Sequence, residues 1–448
     1  MPDPPPPLLR RSLGLWDLIF YGIVLIQPIA PVGIFGIASR MSRGHAVTTI
    51  LIAMVAMMLT AWSYGRMATR YPAAGSAYTY VSQGLNPHLG FLAGWAMILD
   101  YLIIPVINTS YIALTIQRLA PQVPFFVWAG LTAGAITVMN LRSVRFTARA
   151  NQLLLAAMSF VIVAFVVLAV RFLFGRSGWS GVFAIAPFYD PKTFHLGAVA
   201  TATSLAALTY IGFDGVTTLA EEVRDPKRTV PLATVLVCLV TGILSAIEIY
   251  LAQRVWPDYS TFSSLETAFL DVTGRVGGNF LFQAMAVILI VACFGSGLAG
   301  QAGAARLLFG MGRDQVLPRK LFGYVDPRSG NPTRNVLLVG LLSFAAALLI
   351  SYEHAAELLN FGAFLAFMGV NVAAIRTLLV EERNGKRTAW FGVAMAALGF
   401  LFCLAIWLSL PLPAKVGGGL WLLAGVIYSA VRTRGFRTQP QKVDFIEV

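Results

Sequence analysis

The sequence predicts an all-α polytopic membrane protein of about twelve transmembrane helices, a five-plus-five inverted repeat in which helices one and six are broken. Three observations carry this. Hydrophobic residues make up 57% of the 448 and charged residues only 12%, with a mean hydropathy of +0.74. Apolar runs of about 18 residues or more, each long enough to cross a bilayer, recur from end to end. Two of these runs, the first and the sixth, carry helix-breaking residues near their middle.

The pattern places helices over 16–38, 46–68, 89–115, 123–140, 151–174, 196–221, 231–254, 279–311, 334–352, 356–379, 388–409 and 417–432. Residues 1–15 and 433–448 are then tails, 16–379 a ten-helix core, and 380–432 the last two helices. The net charge of +13 would point to nucleic acid in a soluble protein; here its placement matters. With the N-terminus inside, roughly 22 Lys and Arg fall in cytoplasmic segments and roughly 9 in outer ones, a positive-inside bias. The densest groups are Arg142/Arg145/Arg149, Arg224/Lys227/Arg228, Arg319/Lys320/Arg328 and Arg383/Lys386/Arg387. Both termini are therefore assigned to the cytoplasm and the chain to the cytoplasmic membrane. The basicity marks topology, and no nucleic-acid partner is expected.

The first sixteen residues, MPDPPPPLLRRSLGLW, read as a proline-rich tail entering helix one, with no small-residue cleavage site after the first apolar stretch. Helix one contains Gln27-Pro28-Ile29-Ala30-Pro31-Val32-Gly33-Ile34-Phe35-Gly36. Each proline removes a backbone donor and clashes with the preceding turn, so the helix must break or kink near the bilayer midplane. Helix six is interrupted by Thr209-Tyr210-Ile211-Gly212-Phe213-Asp214-Gly215. A glycine costs about 1 kcal/mol in a helix interior and a carboxylate at membrane depth at least about 2.5. Irregular backbone survives there only where protein buries it or where it lines a wet cavity. Interruptions at matching positions of two inverted repeats point to a binding site between them.

The other segments are quieter. Tyr71 through Ser76, with Tyr78 and Tyr80, predicts a short helix at the inner interface after helix two. Helix three carries Asp100-Tyr101 about eleven residues in, some 16 Å deep at 1.5 Å per residue. Neighbours on a helix point about 100° apart, so the two side chains cannot face one cavity squarely. Asp100 reads either as a functional acid or as a structural hydrogen-bonding group. Glu248 of helix seven is close enough to the outer end to snorkel to the surface. Ser260–Gly278, with its SSLETAFLDV core, predicts an outer-surface helix that could lid a cavity. Ser296, Gly300 and Ala304 give helix eight a small-residue packing face. Asn360 and Asn371 read as interhelical glue, and helices eleven and twelve as peripheral. Cys238, Cys293 and Cys403 lie singly in apolar segments and read as small buried hydrophobes, with no metal spacing.

Several stretches resemble the amino acid–polyamine–organocation transporters. They are Tyr210 through Asp214, Glu221-Glu222, Asp225-Pro226, Arg228 through Pro231, Pro72 through Tyr78, and Met311-Gly312-Arg313-Asp314 with Leu317-Pro318. Within that family the likeness is to putrescine importers. It rests on Arg11-Ser12-Leu13, Ser63-Tyr64-Gly65, Ala74 through Tyr80, Asn86-Pro87-His88, Leu99-Asp100-Tyr101-Leu102, Asn108 and Asn360-Phe361-Gly362. The resemblance runs from about Arg10 to Arg376. It implies a LeuT-like fold of twelve helices, alternating access, and uptake or exchange driven by a proton gradient rather than sodium.

The resemblance also implies a site. At Ala30, Val32, Gly33 and Ile34, amides of the helix-one break would hold a substrate carboxylate. Carbonyls of Leu208, Thr209 and Ile211 would hold its amine, and Phe213 would gate it. Tyr101 matches a helix-three tyrosine implicated in putrescine transport. Three departures stand beside these matches. Pro31-Val32-Gly33 replaces the family's glycine–hydroxyl–glycine and loses a backbone donor. Gly33 stands where putrescine importers have an acid. Met158 stands where some proton-coupled members have a helix-five lysine, and the resemblance then leaves Asp100 as the proton-coupling candidate.

The expected function is import of a small amine-bearing solute, an amino acid or a polyamine such as putrescine, with no cofactor and no metal. An exchanger of the same family and a passive channel or transporter-like sensor remain open. An enzyme does not fit, because His45, His88, His195 and His354 are scattered near segment ends without metal or nucleophile spacing.

Overall fold

The computed structural model describes residues 13–71, 76–142, 148–313, 317–327, 330–383 and 390–439. Arg10, Arg11 and Ser12, residues 72–75 of the PAAGSAY stretch, Arg145, Asp314, Arg328, Lys386, Arg387 and both tail ends lie outside the described residues. Among the described residues, ten helical segments are long and apolar enough to cross a membrane. Two shorter apolar helices, Phe125–Leu141 and Thr333–Leu349, bring the apolar crossings to the twelve that the sequence predicts.

The first span is broken into α1 (Leu15–Ile26) and α2 (Phe35–Met41). Span two is α3 (Ala46–Arg70), followed by the short α4 (Ser76–Gly84). Spans three to five are α5 (Pro87–Leu119), α6 (Phe125–Leu141) and α7 (Ala148–Val182). The sixth span is again two pieces, α8 (Leu196–Ala206) and α9 (Gly215–Thr218). Spans seven and eight are α10 (Pro226–Val255) and α11 (Ala268–Arg313), with the short α12 (Arg319–Phe322) after them. The last four are α13 (Thr333–Leu349), α14 (Tyr352–Arg383), α15 (Trp390–Leu408) and α16 (Leu412–Arg432).

The packing follows a pseudo-twofold scheme. Span two lies against seven, three against eight and four against nine. The pair of spans one and seven is mirrored by six and two, and the pair three and ten by eight and five. Each relation maps spans one to five onto six to ten, which is the expected repeat. The face that carries Leu13 and the start of α1 is called the tail side below. Alternate crossings put Arg70 and Pro87 on that side, and Met41, Leu119 and Tyr352 on the other.

The bundle is apolar outside, and a minority of polar side chains is buried among its apolar interior. Leu153, Phe160, Phe280 and Leu349 point outward, while Thr49, Thr60, Ser63, Asn108 and Thr109 are buried. Helices without a hydrophobic drive toward one another need close contacts and polar ties. Gly300 of the small-residue face lies on Ile104, and Asn108 Nδ2 donates to Ser296 Oγ at 3.1 Å. Asn360 Nδ2 donates to Ser204 O at 2.6 Å and Asn371 Nδ2 to Thr60 Oγ1 at 3.1 Å, so both asparagines join helices as expected.

One local expectation changes. Glu248 does not snorkel: it is 1% exposed, and neither carboxylate oxygen has a hydrogen-bond partner among the described residues. Thr241, Ser245, Glu248 and Ala252 follow one another at helical spacing as a single buried stripe. The same helix packs on α3, with Gly242 on Met54 and Gln253 Oε1 accepting from Val47 N. That register fixes the direction of Glu248 whatever its distance from the helix end. The short helix expected after span two is present as α4, with Tyr80 fully buried and its ring 5.8 Å from that of Tyr64.

Candidate functional site

The helix-one break begins at Gln27, which takes φ 64°, uncommon for a residue other than glycine, while Pro28 after it disfavours a helical conformation at that position. Its side chain ties the break to α11, Nε2 donating to Ala292 O at 3.1 Å. A 3-10 turn, Ala30–Ile34, follows, and Val32 N donates to Ile29 O at 3.1 Å within it. The helix-six break has the same construction. A 3-10 turn, Ala207–Tyr210, precedes an extended Ile211, and Ile211 N donates to Leu208 O at 3.3 Å. Gly212 then takes φ +116°, a conformation that glycine reaches without a Cβ penalty. The two 3-10 turns touch each other inside the bundle. A carbonyl has two lone pairs, so Leu208 O can accept a second donor while holding Ile211.

On the side away from the tail, Gly33 packs under two tyrosines, and a Cβ there would stand 2.8 Å from Tyr352 Oη. The rings of Tyr111 and Tyr352 lie 5.2 Å apart. Toward the tail, Phe213 is fully buried with its ring 5.3 Å from both Tyr64 and Phe367. Beside it, Ser76 Oγ approaches Asp214 Oδ2 at 3.4 Å, and Asp100 lies within electrostatic reach of Asp214. Asp100 is 4% exposed and its Oδ1 has no hydrogen-bond partner among the described residues. The tail side is tied by two backbone bonds of 3.1 Å, Leu13 N to Glu222 O and Arg224 N to Leu13 O. Paired helix breaks enclosed by aromatic layers above and below are a carrier's geometry, and the profile of the amino acid permease family matches residues 17–422.

The chain belongs to the amino acid permease family. Membership places it among transporters rather than enzymes. The permease is similar to the low-affinity putrescine importer PlaP of Escherichia coli K12, at 33% identity over 97% of each chain. It is similar at 26% to the branched-chain amino acid permease BcaP of Bacillus subtilis, over 94% of this chain and 92% of that one. The vacuolar cationic amino acid transporter 4 of Arabidopsis thaliana is 26% identical over 83% of this chain and 64% of its own.

Not all the residues singled out in the permease sequence come together. Ala30, Val32, Gly33 and Ile34 stand at one break, and Leu208, Thr209, Ile211 and Phe213 at the other. Asp100 is buried on α5, within electrostatic reach of Asp214 but not in the second group itself. Tyr101 points elsewhere. Its ring lies 3.3 Å from the Cβ position of Gly303 on α11, and it is 39% exposed. The helix-three tyrosine at the helix-one break is instead Tyr111, about 15 Å further along α5 at 1.5 Å per residue. Tyr111, Tyr352 and Tyr64 were missed. The signal for Tyr111 was legible in Asn108-Thr109-Ser110-Tyr111, four polar-tipped residues in mid-span, where each is costly unless it is used. Among the described residues no cluster of three or more His, Cys, Asp or Glu could hold a metal ion.

Proposed function

We propose that this permease is a secondary active importer of a small amine-bearing solute, an amino acid or a polyamine such as putrescine, by alternating access in the cytoplasmic membrane. The contact between the two helix breaks carries this reading. Around it stand Tyr111 Oη, Thr209 Oγ1 and Asp100 Oδ1, buried polar atoms without hydrogen-bond partners among the described residues. A polar atom buried without a partner costs a few kcal/mol (about 1–3), which a bound solute with complementary groups would offset. An ammonium group brings three donors, and Thr209 Oγ1 with the carbonyls of Leu208, Thr209 and Ile211 would accept them. Val32, Gly33 and Ile34 would present amides to a carboxylate once the 3-10 turn opens.

The tail side faces the cytoplasm in this reading, because the basic segments gather there. It is closed here by Phe213, Tyr64 and Phe367 and by the Leu13–Glu222 and Arg224–Leu13 hydrogen bonds. Asp100 would carry the coupling proton, since a carboxylate buried at membrane depth holds charge at high cost. The solutes for which the relatives are named, putrescine and branched-chain or cationic amino acids, support this solute class.

Purified protein in liposomes, with an acid-outside gradient and radiolabelled putrescine or amino acids, tests the reading. Accumulation above equilibrium that collapses with a protonophore is expected. Flux only when the lumen is preloaded would make the protein an exchanger, and downhill flux alone a channel.

A further inference from the structure

A cleft of about 310 Å³ lies on the side away from the tail, among the ends of α5 and α13, the start of α14 and the loop before α11. Ser110, Gln117, Phe125, Glu266, Ser351 and Tyr352 line it. Of these, Tyr352 sets its ring 5.2 Å from that of Tyr111, tilted by 37°, and lays its hydroxyl over Gly33. Through Tyr352 the cleft adjoins the aromatic pair that covers the helix-one break.

Three features give it a chemical character. Glu266 is the one charged residue among those lining it, so the space is anionic. Ser264 Oγ donates to Glu266 Oε2 at 3.0 Å and steadies the carboxylate. Ser110 Oγ, on a residue only 2% exposed, has no hydrogen-bond partner among the described residues and stands in the cleft wall. Glu353 adds a second acid within electrostatic reach of Glu266, with Arg40 and His354 near Glu353. An anion entering the cleft would meet a carboxylate and no lining cation. A protonated amine would meet a carboxylate, an unused hydroxyl and the Gln117 amide oxygen, enough acceptors for its three N–H donors.

We propose that this cleft is a vestibular binding site for the ammonium group of the solute, held by Glu266 and Ser110 before Tyr111 and Tyr352 part to admit it. The proposal rests on the transport reading for its purpose, though not for its chemistry. Part of the solute's approach would then be electrostatic, and stronger for a diamine than for a zwitterion.

Equilibrium binding of radiolabelled putrescine to the purified full-length protein tests it directly, with wild type, Glu266→Gln, Ser110→Ala and Glu266→Asp compared. Loss of one charged contact should weaken the Glu266-dependent component by about tenfold, the worth of about 1.4 kcal/mol. Glu266→Asp should restore part of it, and higher ionic strength should weaken wild type more than Glu266→Gln. Thermal unfolding of each variant identifies any that merely misfolds, and the Asp and Ala variants then decide. Superimposable isotherms for wild type and folded variants would overturn the proposal. A wild type that loses binding on Glu266→Gln yet carries no amine or amino acid in liposomes would overturn the transport reading alone.

Discussion

Tyr352 occupies the space that a side chain at Gly33 would need, its Oη standing 2.8 Å and the Tyr111 ring 3.2 Å from the Cβ position. Gly33→Ala should therefore push the tyrosine pair off the helix-one break. Overpacking of this kind costs about 1–3 kcal/mol, read as a lower melting temperature in detergent. Tyr352→Phe in the same chain should recover most of the loss, because it removes the nearest atom. Equal melting temperatures for Gly33→Ala with and without Tyr352→Phe would mean that the ring already has room to move.

Phe213 fills the space between Tyr64 and Phe367. Phe213→Ala should cost about 3 kcal/mol or more through the cavity it leaves, and should abolish uptake. Phe213→Leu should recover stability before it recovers transport. If both recover together, packing alone explains the residue.

Asp100→Asn should uncouple accumulation from the pH gradient while solute exchange persists. The readout is the ratio of inner to outer solute at steady state, compared with counterflow in the same liposomes. Gradient-driven accumulation equal to wild type would move the coupling role to another group.

Glu248 is buried with two unpartnered oxygens, so its carboxyl group contributes no hydrogen bond to the described fold. Glu248→Met, close in volume and wholly apolar, should raise the melting temperature, with a gain of about 1–3 kcal/mol. A fall in melting temperature would reveal a partner that the present arrangement leaves out.

Gly212 has φ +116° at the turn where helix six changes direction. Gly212→Ala meets only ordinary contacts, Leu25 C and O at 3.5 Å, so its cost would be conformational. About 1–3 kcal/mol is the usual strain for such a residue, again measured by thermal unfolding. An unchanged melting temperature would show that the turn can relax.

The twelve crossings were legible because apolar length is a one-dimensional property, and both breaks because proline and glycine act on their own backbone. Direction was harder. Asp100 and Tyr101 are neighbours in the chain, yet one is buried and the other is 39% exposed against Gly303, a choice made by how α5 is rotated against α11 and α14. Glu248 was misread for the same reason, since its register is set by Met54 and Val47 on another helix. The Tyr111–Tyr352 pair joins spans three and ten, and no local pattern links residues so far apart. Candidate backbone positions at the breaks could thus be named from sequence, whereas the side chains around them depended on the packing.

The bond from Leu13 N to Glu222 O and its companion from Arg224 N to Leu13 O make the entrance of the first span and the exit of the sixth a single mechanical body. The two interrupted spans cannot swing apart at this face without breaking both bonds, so they either travel together or release together. Force or bulk applied ahead of Leu13, such as an appended domain or an antibody, should then be transmitted to the tail-side end of span six. A fusion joined ahead of Leu13 is then expected to perturb transport before it serves as a handle.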